Sequence, residues 1–338
     1  MSKKWPGGII TPTPATPAGP YQDGAAPGIW TLSQQSYWAK QGLWPIAGNS
    51  DPSNNALFGG GSTTNVFYSN ISTLGNATTF GTLSGVLGAA GVASSSTRGV
   101  FFVNTSSMSY TTFATTGSFA SFGNSVANHG SYSCGMSSST RGVFGGGQPS
   151  SLTNFLDYIT IATTGNATYF GDNASTFGYA GGCASPTRGV FAGGLTGGGF
   201  AYTSAIKFIT IATTGDTSSF GNLSFSESWN TSSCSNSTRG LFAGGNGLTV
   251  LISNIDYITI ATTGNGTSFG NLSVASAGIG MAASPTRALF AGGDIGSSTN
   301  TNAIYYVTIA STGNTVAFGN LPSAVNYQTG CSSGHGGI

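Results

Sequence analysis

Five arginines hold most of the chemical potential of this 338-residue chain. Arg98, Arg141, Arg188, Arg239 and Arg287 each follow Ser-Thr or Pro-Thr and precede Gly or Ala, an aliphatic residue and Phe. A guanidinium is always charged and presents its donors in a planar fork. Two chemistries suit such a set. A ring of five could hold an anion or an acidic sugar, or each could donate to backbone carbonyls of a neighbouring unit. Occurrence once per unit favours the second, because binding sites usually break repeat symmetry. No acid recurs with the arginines: Asp157 and Asp256 share a register in only two units, and Lys207 falls near the equivalent place in another. A systematic ion pair is therefore not expected.

Little else could carry a reaction. Glu227 is the only glutamate, no paired carboxylates converge, and no nucleophile, base and acid occur together, so no catalytic residue is assigned and an enzyme is not expected. His129 and His335 lie in loop-like surroundings without repeated partners. Cys183 and Cys234 each stand five residues before an arginine; Ala282 takes that position in the next unit, Cys331 matches it in the tail, and Cys134 lies two residues out of register. This reads as small buried side chains rather than disulfides. The spacings suit no metal site, and no cofactor motif is present.

The elements that must position the arginines follow from their spacing. Successive intervals are 43, 47, 51 and 48 residues, the size of a supersecondary module. A second marker, Gly75, Gly117, Gly165, Gly215, Gly264 and Gly313, closes a turn five residues before Phe80, Phe122, Phe170, Phe220, Phe269 and Phe318, each followed by Gly. Six units result, and Asn55 takes the arginine position of the first. Within a unit, Arg239–Gly245 reads as a short inner strand and a tight turn. Ile255–Thr263 is a β-branched strand, Thr267–Leu272 a third, and the small-residue run 277–284 a fourth. Four antiparallel strands per unit, six times over, predict an all-β six-bladed propeller over residues 46–338, whose ring removes exposed sheet edges. The tail around Cys331 resembles the lead-in to a further unit and is expected to complete a first blade beginning near Ile46. A parallel β-helix would have rungs of about 20 residues and fits less well.

The Phe-x-Gly-Gly doublet in a unit of this size resembles a kelch-type blade, although the Tyr and Trp landmarks of kelch repeats are absent. The phrases SPTRGVFAGG and IDYITIATTGN.T.FGNL more closely resemble repeats in virion proteins of tailed bacteriophages, especially those of marine cyanobacteria. The opening KKWPGGIITPTPATPAGPYQDGAAPGIWTLSQQSYWAKQGLWP is similar to a leader shared by phage tail proteins. The resemblance implies a kelch-like virion structural protein of the tail, fibre or baseplate region, present in multiple copies per particle. It would be made in the host cytoplasm and anchored to other virion subunits through its N-terminal arm. The alternative is a stand-alone, lectin-like propeller that binds carbohydrate.

Only 5% of residues are charged, against roughly a quarter in ordinary domains, and the net charge is +1. Such a surface of Ser, Thr, Asn and Gly argues against nucleic-acid binding. The sequence carries neither a signal-peptide pattern nor an apolar run long enough to insert in a membrane. Residues 1–45 share nothing with the repeats. Six prolines in the first 27 residues favour an extended, polyproline-like path, and Thr31–Lys40 offers a short helix capped by Thr31 or Ser33. Trp5, Trp30, Trp38 and Trp44 would anchor this arm to a neighbouring subunit; folding back onto the propeller is the competing arrangement. Ligand contact, with a host-surface glycan as the candidate, is expected in the loops 145–154, 195–204, 244–254 and 294–302, with Phe200, Tyr202 and Asn302 as stacking or hydrogen-bonding residues.

Overall fold

The computed structural model describes residues 54–338 except 62, 86–87, 118, 149, 199, 226–230 and 248, together with residues 4–5, 8–9, 31, 33–34 and 36–37. The chain divides into two units, Met1–Pro52 and Ser53–Ile338.

The second unit is a six-bladed β-propeller. Blade 5 shows the pattern: Ser232–Ser235 pairs with Arg239–Ala243, which pairs with Asn254–Thr259, which pairs with Thr267–Asn271, all antiparallel. Strands equivalent to Ser232–Ser235 touch one another in cyclic order: Val92–Ser94, Cys134–Ser137, Gly181–Ala184, Ser232–Ser235, Gly280–Ala283 and Thr329–Ser332. The small-residue strand is therefore innermost and the arginine strand is second, which corrects the expectation of an inner arginine strand. The physical reason is convergence. Six strands meeting at one axis leave room only for small side chains, whereas the second strand is flanked by neighbouring blades and is buried on both faces. Phe58, Phe101, Phe144, Phe191, Phe242 and Phe290 lie there, all buried. One hydrophobic cluster fills each of the six seams between blades.

Closure occurs within blade 1. Thr329–Ser332 supplies its innermost strand and pairs with Asn55–Gly59, with Cys331 opposite Leu57. In blades 2, 3, 4 and 6 a serine three residues before the arginine, and in blade 5 Asn236, exchanges hydrogen bonds with it, as Ser185 does with Arg188 (2.9 and 3.2 Å). Ser333 and Asn55 rebuild that turn from the two ends of the propeller, at 3.0 and 3.1 Å. The first strand begins at Asn55, so the expected start near Ile46 falls among residues outside those described.

Blade 3 departs from the four-stranded expectation. Its outer strand runs on to Gly178, and the hairpin Leu195–Thr196/Ala201–Tyr202 from the blade 4 loop adds to it, giving six strands. Part of the expected variable loop 195–204 is thus paired sheet.

In the first unit, Lys4–Trp5 pairs antiparallel with Gly8–Ile9. The six prolines on which the polyproline-like expectation rests lie outside the described residues. Thr31 and Gln34 form a reciprocal capping box: Gln34 N–H donates to Thr31 Oγ1 at 3.2 Å and Thr31 N–H donates to Gln34 Oε1 at 2.9 Å. Residues 33–34 and 36–37 are helical.

Candidate functional site

Antiparallel order gives the ring two unlike faces. The arginine turns and the Thr-Thr-Gly turns share one, termed the turn face. The loops between second and third strands and the linkers between blades share the other, the loop face.

On the turn face every arginine makes the same contacts. Arg188 Nη1 donates to the carbonyls of Ile260 and Ala261 in the next blade at 3.0 and 2.9 Å. Its guanidinium lies 4.5 Å from the Phe208 ring centre of its own blade. Arg98, Arg141, Arg239 and Arg287 repeat this on Ile161/Ala162, Ile211/Ala212, Ile309/Ala310 and Ile71/Ser72. The last of these spans blades 6 and 1. Each guanidinium is half-buried and committed to its seam; the five do not converge on an anion.

The recurrent Phe-Gly is explained at the same seams. The turn glycine of the following blade donates its N–H to the carbonyl of the marker Phe, as Gly215 does to Phe170 at 2.8 Å. A Cβ on Gly171 would stand 2.2 Å from the Gly215 carbonyl oxygen, so no larger residue fits. The next residue of the turn, Asn166, Asn265, Asn314 or Asn76, accepts an N–H from the neighbouring blade through its side-chain oxygen at 2.9–3.0 Å. Three of these asparagines, Asn76, Asn166 and Asn265, open Asn-x-Thr triplets, which therefore contribute to blade packing.

Residues 333–338 then close the channel on this face. His335 Nε2–H donates to the Ser94 carbonyl at 2.8 Å while Nδ1 accepts the Gly337 N–H at 3.0 Å, which assigns the neutral tautomer. Gly336 N–H donates to Ser235 O at 2.8 Å, so the tail ties blade 1 to blades 2 and 5. Burial pulls the His335 imidazole down to about 4. Its sequence surroundings suggested only a loop; the Gly-rich tail has no periodicity to reveal its path.

The loop face is open at the centre. The cavity there offers about 520 Å³ of unfilled space, part of it open to solvent, and its lining includes Ser133, Tyr179, Thr231, Gln328 and backbone of the innermost strands. In five blades the equivalent residue sits at the rim in left-handed backbone: Ala89, Tyr132, Tyr179, Gly278 and Tyr327, with φ between 46° and 65°. Tyr132 and Tyr179 stack at 3.9 Å, and Tyr327 meets Tyr132 edge-on at 6.0 Å. The Tyr179 hydroxyl donates to Gln148 Oε1. Burial pushes the Tyr179 phenol up to about 12 and raises Tyr132 and Tyr327 as well, so all three are neutral donors at physiological pH.

The sequence-expected ligand residues are not brought together. Tyr202 packs on the Leu152–Tyr179–Leu195 cluster beside this mouth. Phe200 is exposed at the hairpin tip. Asn302, in the blade 6 loop, donates its side-chain amide to Leu321 O at 3.3 Å. Trp5 lies in the short N-terminal strand, and Trp30, Trp38 and Trp44 fall outside the described residues.

Sequence reasoning missed a buried pair. His129 Nε2 lies 3.2 Å from Asp157 Oδ2 and its Nδ1 lies 2.8 Å from Gly146 O; the residue lies in a loop, as expected, but is fully buried. The same Oδ2 accepts the Val126 and Ala127 N–H groups, both at 2.9 Å. Asp256 likewise accepts Ser224 N–H and Oγ–H at 2.6 and 2.7 Å. Both acids pin the linker entering their own blade, because a buried carboxylate needs donors and loop amides supply them. Among the described residues no group of His, Cys, Asp and Glu could hold a metal ion, and no helix is long and apolar enough to cross a membrane. The four cysteines are free and buried.

No family model matches the chain, and no curated protein matches it. Among solved structures, that of YjhT is similar, with a TM-score of 0.60 at 8% identity, covering 72% of this chain and 87% of YjhT. The fold is a six-bladed β-propeller. At that identity the likeness speaks for architecture alone.

Proposed function

We propose that this chain is a non-catalytic structural component of a phage virion, in or beside the tail, held by residues 1–45 and presenting its propeller as a rigid ring. The observation that carries the reading is the division between faces. On the turn face, the same contacts repeat from blade to blade and the tail fills the channel. On the loop face, connections differ in length and the channel stays open. A ring held by the same contacts at successive seams leaves one face for recognition. The leader and repeat phrases, which resemble those of tailed-phage virion proteins, supply the setting, and residues 1–45 supply a segment outside the ring for attachment. The arginines are spent on backbone carbonyls, which supports a role without nucleic acid. Deleting residues 1–45 should leave a folded propeller that no longer joins particles; normal incorporation of the truncated chain would overturn the proposal.

A stand-alone carbohydrate-binding propeller is the second reading, favoured by the tyrosines of the channel mouth. It predicts sugar binding by the soluble chain and no association with particles.

A further inference from the structure

The channel mouth carries two departures from what the fold itself requires. The first is at Gln328, which lines the cavity. It is 3% exposed, and both its side-chain amide atoms are buried without a hydrogen-bond partner. Its register equivalents are Ala90, Ser133, Ala180, Thr231 and Ile279, so five blades manage without a long polar side chain. Burying an unpaired amide is destabilising. The second is the left-handed rim position. Gly278 satisfies it in blade 6 without strain, yet three blades place tyrosine there, where a side chain is disfavoured. Strain and orphaned polarity gathered at one opening point to a ligand.

The lining sets its class. No Asp, Glu, Lys, Arg or His borders the cavity; what it offers is an amide, hydroxyls, backbone groups and an aromatic rim. That combination pairs hydroxyls of either hydrogen-bonding sense and stacks on C–H faces, and it has no counter-charge for an acid. We propose that the open mouth of the channel binds a neutral sugar residue, with the Gln328 amide hydrogen-bonding its hydroxyls and Tyr179, which borders the cavity and is held by stacking on Tyr132 and through it on Tyr327, packing against its ring. This deepens the recognition role given to the loop face but concerns the soluble chain, so it stands or falls separately from particle attachment.

The test uses the purified full-length chain, with saturation-transfer NMR and calorimetry on methyl glucoside, methyl galactoside, methyl mannoside and N-acetylglucosamine, and with N-acetylneuraminic acid as the charged control. At least one neutral sugar should bind at or below about 10 mM while the acid does not. Gln328→Leu keeps the volume and removes both orphaned atoms, so it should weaken binding about tenfold or more while melting at the same temperature or higher. Tyr327→Ala should also weaken binding, and its melting profile reports folding independently. Failure of every neutral sugar to bind would overturn the proposal, as would unchanged binding in Gln328→Leu. A Gln328→Leu chain melting well below the parent would overturn it too, because the amide would then be there for stability. Loss of particle incorporation on removing residues 1–45, with sugar binding retained, would separate the two roles.

Discussion

Cys183 and Gly240 face each other across the seam between blades 4 and 5, with the Cys183 sulfur 2.7 Å from where a Cβ on Gly240 would stand. The glycine after Arg98, Arg141, Arg188 and Arg239 is thus the socket for an innermost-strand side chain of the preceding blade: Met136 fills it at Gly189, and Ala93 at Gly142; after Arg287 the position is Ala288, in one cluster with Cys234. Where the socket residue is Ala56, the facing residue is Ala282, in the same cluster. Gly240→Ala should therefore destabilise by about 1–3 kcal/mol through overpacking. Cys183→Ala in the same chain should recover most of that loss, reproducing the Ala56–Ala282 pair. Urea unfolding of the two single variants and the double variant measures the coupling, and simple additivity would contradict the socket.

Arg188→Ala removes two charge-assisted hydrogen bonds to backbone and a contact with the Phe208 ring. The guanidinium is half-exposed, so the expected loss is at the low end, about 1–2 kcal/mol. Arg188→Lys should recover only part, since an ammonium lacks the planar fork. Thermal unfolding checks both, and sugar titration should show no change in either variant.

The seam between blades 1 and 2 lacks this clamp. Asn55 stands at the arginine position and accepts the Tyr68 hydroxyl at 3.0 Å. With no guanidinium over it, Tyr68 lies 29° from the plane of Phe80, whereas the equivalent pairs of the other five blades are close to perpendicular. Phe119 takes the place of Ala167 and packs edge-on against Phe80 and Phe101 at 6.3 and 5.8 Å. Aromatic packing thus replaces the ion here. Phe119→Ala should cost about 2–3 kcal/mol, more than Ala substitution of any one arginine. Hydrogen exchange in that variant should rise first in the strands of blades 1 and 2.

Acid should loosen the tail. His335 has its ordinary value of 6.5 in the unfolded chain and about 4 when folded, because burial opposes the charge. Between those values the unfolded chain binds more protons, so this group's contribution is complete above pH 6.5, declines as pH falls, and is exhausted below about 4. A proton on Nδ1 would also face the Gly337 N–H that Nδ1 now accepts. Melting temperature followed from pH 7 to pH 4 should fall more steeply in the parent than in His335→Gln; equal slopes would contradict the assignment.

The periodic contacts were legible in the sequence and the singular ones were not. Arg188 and the Phe170-Gly171 marker recur because every seam needs the same contact, so counting found them. Closure through Cys331 was readable because that strand copies the Cys183 register. The radial order of strands was misread because the apolar run of Arg239–Ala243 suggests the ring's centre, whereas it reflects burial between blades. His129–Asp157 occurs once and joins a linker to a strand 28 residues away, so no pattern announced it. Tyr132, Tyr179 and Tyr327 do share a register, four residues before Met136, Cys183 and Cys331. Linkers of unequal length hid that alignment until the innermost strands were superposed by pairing.

Cryo-electron microscopy of virions of a phage encoding this chain tests the central claim most directly. The account predicts a six-bladed disc in the tail region with residues 1–45 buried in a neighbouring subunit and the open channel mouth facing outward. Particles without the disc, alongside a soluble chain that still binds sugar, would contradict the virion role and leave the free carbohydrate-binding propeller in its place.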